Sequence, residues 1–147
     1  MMMEILKHAH SGLRWLVLIS LVIAIVNAFG KMNGLNAFTA RDKKYGLLAL
    51  IFSHLQFSLG LVLYFISPRV VFSGAVMKDS VLRFFLVEHV CLMTTAVLLI
   101  TLGYSKSKRA ALDSKKFKTT FWFFLIGLIL ILIGIPWPFQ NYGTGWF

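Results

Sequence analysis

Four stretches of this chain are each long and apolar enough to cross a lipid bilayer, and nothing else in it limits the fold as tightly. A hydrocarbon core about 30 Å thick needs roughly 20 apolar residues per helix. The candidate spans run from about 10 to 29, 45 to 66, 81 to 104 and 121 to 139. Inside lipid no water can satisfy backbone N–H and C=O groups, so each span must pair its own, which selects helices over open strands. The expected fold is therefore all-α, a polytopic membrane protein built as one four-transmembrane-helix bundle over residues 1–147. Composition agrees. Of the 147 residues 59% are hydrophobic and 14% charged, where soluble domains hold about 45–50% and about 25%. The single cysteine, Cys91, excludes an internal disulfide.

The net charge of +10, from 15 Lys and Arg against 5 Asp and Glu, would suggest nucleic acid in a soluble domain. Its distribution argues for a membrane instead. Lys31, Arg41, Lys43 and Lys44 fall between the first two spans, and Lys106, Lys108, Arg109, Lys115, Lys116 and Lys118 between the last two. These are short loops, not a nucleic-acid domain, and the positive-inside bias assigns them to the cytoplasm. Both termini are then expected outside, which in a bacterial inner membrane is the periplasm. Lys7 ahead of an apolar run also fits a signal peptide, but the run is longer than such peptides carry.

Gly30, Asn33 and Gly34 are expected to break the first helix, Ser67-Pro68 the second, and Pro136 and Pro138 the fourth. The tail from Trp137 to Phe147 is aromatic and uncharged, a composition that favours the headgroup level. The strings Ser11-Gly12-Leu13-Arg14-Trp15 and Ser80-Val81-Leu82-Arg83-Phe84 each open a span, a hint of two tandem helical hairpins.

Ionisable side chains inside a membrane are costly and point to function. His54 lies 14 positions before Pro68 and His89 ten after Asp79, depths of about 21 and 15 Å from the same side. Two imidazoles near the bilayer centre of a four-helix bundle match the axial ligation of a b-type haem. Arg14 and Arg83 lie about one turn inside the outer boundary, where they could hold haem propionates through the planar guanidinium fork or snorkel to headgroups. His10 shares a helix face with Arg14 at i and i+4, which makes it a candidate for a propionate, a quinol oxygen or an alternative axial ligand. Glu88 points about 100° away from His89 and could pair with Arg14, take a proton or touch a quinone. His8-x-His10 lacks a nearby third ligand for copper or zinc. On the second span Gly46, Ala49, Ser53 and Gly60 form a stripe of small residues suited to packing against a neighbouring helix.

The runs HAHSGLRW (8–15), SHLQFSLGLVLYFISP (53–68), RFFLVEH (83–89), ITLGYSKSK (100–108) and IPWPF (135–139) resemble a group of small four-helix membrane proteins of Bacteroidetes-type bacteria catalogued as cytochrome b-like. The resemblance spans nearly the whole chain. It implies a b-haem protein with His54 and His89 as the matching central histidines. The chain departs from the large quinol-oxidising cytochromes b in its smaller helix count and its lack of duplicated histidine pairs.

The expected function is electron transfer through haem b, linked to quinol or quinone, alone or as a subunit of a respiratory complex. A haem-free structural subunit of a larger membrane complex is the alternative from a different class, and an enzyme acting on haem or a quinone is a third. No P-loop, dinucleotide fingerprint or nucleophile–base pair supports a nucleotide-dependent or hydrolytic activity.

Overall fold

The computed structural model describes residues 1–146, apart from the side chain of Ala75. Among them the regular structure is all helical. Four long helices, α1 (Met2–Lys31), α2 (Ala40–Ile66), α3 (Ser80–Arg109) and α4 (Asp113–Gly134), are each long and apolar enough to cross a membrane. They pack in sequence around a four-helix bundle, α1 against α2 and α4, α3 against α2 and α4. This is a multi-pass membrane protein. One end of the bundle carries the chain start, the 67–79 loop and the C-terminal tail. The other carries the two basic loops.

The helices outrun the apolar windows. α1 begins at Met2 instead of about residue 10, and its 30 residues would span about 45 Å, so its first turns project beyond a hydrocarbon core. α2 begins at Ala40 because Thr39 and Asp42 form a capping box: the Thr39 N–H donates to Asp42 Oδ2 at 2.8 Å, and the Asp42 N–H returns to Thr39 Oγ1 at 3.4 Å. Asp79 caps α3, accepting from the N–H groups of Val81 and Leu82 at 2.9 Å each. α4 stops at Gly134, earlier than the window, because Pro136 cannot continue the ladder.

Small residues bring the helices close. Gly46 lies against Tyr104 and Phe124, and a methyl group on Gly127 would come within 3.0 Å of Ile100. Leu21, Ala49, Ala96, Ile100 and Phe124 are fully enclosed between them. Large apolar residues such as Ile19, Val26, Leu55, Leu98 and Ile133 face outward, as a lipid-facing surface requires.

The basic-loop end is tied by Asp42, buried at 4% exposure. It accepts from Lys31 Nζ at 2.5 Å, Asn27 Nδ2 at 2.8 Å and Thr39 Oγ1 at 2.6 Å, joining the end of α1 to the start of α2. Asp113 accepts from the Phe38 N–H at 3.0 Å and from Lys116 at 2.8 Å, tying the 32–39 loop to α4.

Candidate functional site

α3 is not a uniform helix. From Phe84 to Glu88 it widens into a π turn, in which the His89 N–H donates to Phe84 C=O, five residues back. Such single π turns concentrate at functional sites. In a regular helix residues five apart are offset by about 140°. The wider turn brings Arg83 and Glu88 to one side, where Arg83 Nε meets Glu88 Oε1 at 2.8 Å. It also gives the Leu86 carbonyl an outside partner, the Tyr64 hydroxyl of α2, at 3.0 Å. Tyr64→Phe is expected to lower stability in detergent by about 1 kcal/mol, the worth of one such bond. An unchanged unfolding midpoint would show that the carbonyl is satisfied without it.

Directly below the π turn, His89 enters a cavity of about 350 Å³ at the chain-terminal end of the bundle. Its walls are largely apolar: Val17 from α1, Phe57 and Leu61 from α2, Phe85, Met93 and Val97 from α3, Ile131 from α4. Across it stands His10 of α1, ring centroids 6.4 Å apart and planes at 70°. His89 Nδ1 lies 2.6 Å from the Gly134 carbonyl. A carbonyl can only accept, so Nδ1 carries the proton and Nε2 keeps a free lone pair. The His10 ring fits because α2 has no side chain at Gly60, where a methyl group would come within 3.0 Å of Cε1. Gln56 Nε2 donates to the His10 carbonyl at 2.9 Å and locks the two helices in register.

Several polar atoms around the cavity are buried without a protein partner: His10 Nδ1, Arg14 Nε, Ser53 Oγ and Gln56 Oε1. An unsatisfied buried group costs about 1–3 kcal/mol, so their concentration in one place marks a site built for contents.

The site residues expected from the sequence separate into two sets. His10, His89 and Arg14 line the cavity, with His8 at its mouth. His54 and Arg83 do not line it. The structure does not bring His54 to His89. Ser53 takes the inward direction on α2 and is 2% exposed, which turns the next residue about 100° away. His54 lies on the outer surface with Nδ1 2.9 Å from the Leu50 carbonyl and Nε2 3.3 Å from Thr101 Oγ1. Arg83 is held by Glu88 and by the Met77 carbonyl at 3.3 Å, so Glu88 pairs with it and not with Arg14. Among the described residues no group of three or more His, Cys, Asp or Glu is arranged to hold a metal ion.

Three contributors carried little signal in sequence. Ser53 and Gln56 share the stripe of Gly60 at helical spacing, so a polar face amid the apolar span could have flagged them. Arg69 sits in a loop, where no periodicity assigns a direction. The tail, expected at the interface, folds over the cavity: Gly143, Thr144 and Gly145 line it, Thr144 Oγ1 donates to the Pro136 carbonyl at 2.6 Å, and Tyr142 stacks on Phe84 at 4.4 Å.

Comparison with family models, with curated proteins and with solved structures finds no match to this chain.

Proposed function

We propose that this chain is a b-type haem protein of the bacterial cytoplasmic membrane that passes single electrons from a quinol to a partner, with His10 and His89 as the residues that would hold the haem iron. The observation that carries this reading is the pair of imidazoles facing one apolar cavity at 6.4 Å. Two imidazoles from different helices beside one apolar cavity are the side chains that would hold a haem iron. The cavity, about 350 Å³, falls in the range of cofactor pockets, about 300–1,000 Å³. The haem, when bound, supplies a one-electron centre that no side chain here provides.

The chain's own residues prepare the site. The Gly134 carbonyl fixes the His89 tautomer and ring direction, the outer-shell anchor that ligating histidines commonly have. Gly60 leaves room for the His10 ring and Gln56 holds its backbone. The apolar walls limit the water around the two rings.

A reduced-minus-oxidised spectrum of the purified protein tests the reading. The expected result is the sharp band pair of low-spin haem b. Protein that is purified without haem and takes up none when haemin is added would overturn it, and would favour the haem-free subunit.

The orientation belongs to the same proposal, with the two basic loops cytoplasmic. In intact cells of a Cys91→Ser background, cysteines at Lys43 or Lys115 should react only with membrane-permeant reagents. Cysteines at Lys78 or Gly143 should react with impermeant ones. The opposite pattern would invert the protein and move the cavity to the cytoplasmic side.

A further inference from the structure

Among the described residues, two guanidinium groups stand at the cavity without a counter-charge. Arg14 is 8% exposed. Its Nη2 donates to the Trp146 carbonyl at 2.6 Å, and its Cζ lies over the rings of Trp15 and Trp137 at 5.4 and 5.8 Å. Its Nε is buried with no partner. Arg69 donates through Nη1 to the Tyr142 carbonyl at 2.8 Å and through Nη2 to the Gly143 carbonyl at 2.7 Å, and lies over Phe85 at 5.4 Å. Both arginines line the cavity. Among the described residues no carboxylate is within ion-pair distance of either, since Glu4 is taken by Lys7 and Glu88 by Arg83. Carbonyls of the tail satisfy donors but neutralise nothing. For Arg14, largely withdrawn from water, a charge with only neutral acceptors is unfavourable.

We infer that Arg14 and Arg69 form the receptor for the carboxylates of an amphipathic ligand whose apolar body fills the cavity. This rests on the haem reading, in which those carboxylates are the two acid groups of the tetrapyrrole. The guanidinium fork matches a carboxylate with paired, charge-assisted hydrogen bonds. His10 and Arg14 lie at i and i+4 on α1, so the ring ligand and the acid receptor share one helix face. The tail grips both arginines within residues 142–146 and holds them at the mouth. Arg83, the second arginine expected from sequence, already has its carboxylate in Glu88.

The test uses the full-length protein, freed of haem in neutral detergent and titrated with haemin and with haemin dimethyl ester. The ester keeps the macrocycle and iron but has no acid charge. Wild type should favour the diacid by roughly tenfold to hundredfold, the worth of one or two charge-assisted contacts. Arg14→Gln and Arg69→Gln should each shrink that preference, while Arg83→Gln should leave it at the wild-type value. Comparing the preference between proteins cancels the different partition of the two compounds into detergent. An unchanged preference in both Arg14→Gln and Arg69→Gln, with low-spin haem still bound, would overturn the carboxylate receptor and leave the haem reading standing. Absence of low-spin absorbance with either compound in wild type would overturn both. Should Arg14→Gln fail to fold, as helical circular dichroism would reveal, Arg69→Gln decides alone, because its side chain lies in a loop.

Discussion

Replacing His10 or His89 with alanine is expected to remove the low-spin haem spectrum, while His54→Ala keeps it. Even outer-shell partners of a ligating residue are worth roughly 10–100-fold in metal affinity, so loss of either imidazole should lower haem retention by more than about tenfold. The two histidines lie on different helices and meet only across the cavity. Neither can take over from the other. His54 makes its contacts outside the cavity lining, to Leu50 and Thr101, and its removal should cost about 0.6 kcal/mol, the average measured for polar contacts between membrane helices. Optical spectra of the three variants, each normalised to protein and checked for helical content, decide the matter. Haem lost in His54→Ala and kept in His10→Ala would restore the pair expected from depth alone.

The second large effect is on stability. Asp42→Ala should destabilise the folded protein by about 2 kcal/mol, because it takes the acceptor from a part-buried amide, a capping hydroxyl and a half-buried ammonium at once. Asp42 holds three helix-end groups together: the Lys31 ammonium, the Asn27 amide and the capping Thr39. Alanine removes the acceptor for all three and the N3 half of the capping box. The double variant Lys31→Met/Asp42→Ala should be more stable than Asp42→Ala alone, since no unpaired ammonium is then left at the site. Unfolding by a denaturing detergent, followed by circular dichroism, measures both. A loss below about 0.5 kcal/mol in Asp42→Ala would mean that water already satisfies these groups, as at ordinary surface sites.

The sequence alone determined the number of crossings, because hydrocarbon thickness sets the length of an apolar run and the absence of water makes each run a helix. It also placed three of the eight helix ends to within two residues: the end of α1, the end of α2 and the start of α3. The Ser67-Pro68 pair stops α2 through a constraint local to the chain, whereas α1 runs through Gly30 to Lys31 and has ended before the left-handed Gly34 at φ 88°. The Thr39–Asp42 capping box was equally local, yet it lies outside the apolar window and so escaped a reading based on hydropathy. Which face of each helix turned inward was not local. On α2 the small stripe of Gly46, Ala49 and Ser53 and the stripe of His54 are one residue apart. Only the approach of α1 and α3 gave the interior to the small residues, because close helix packing leaves no room for an imidazole there. On α3 the π turn alters the register between Arg83 and His89, and its Leu86 carbonyl accepts from Tyr64 of another helix. Arg69 and the tail are brought together across 73 residues. Their meeting at the cavity mouth depends on long-range contact, for which neither segment has any periodic signal.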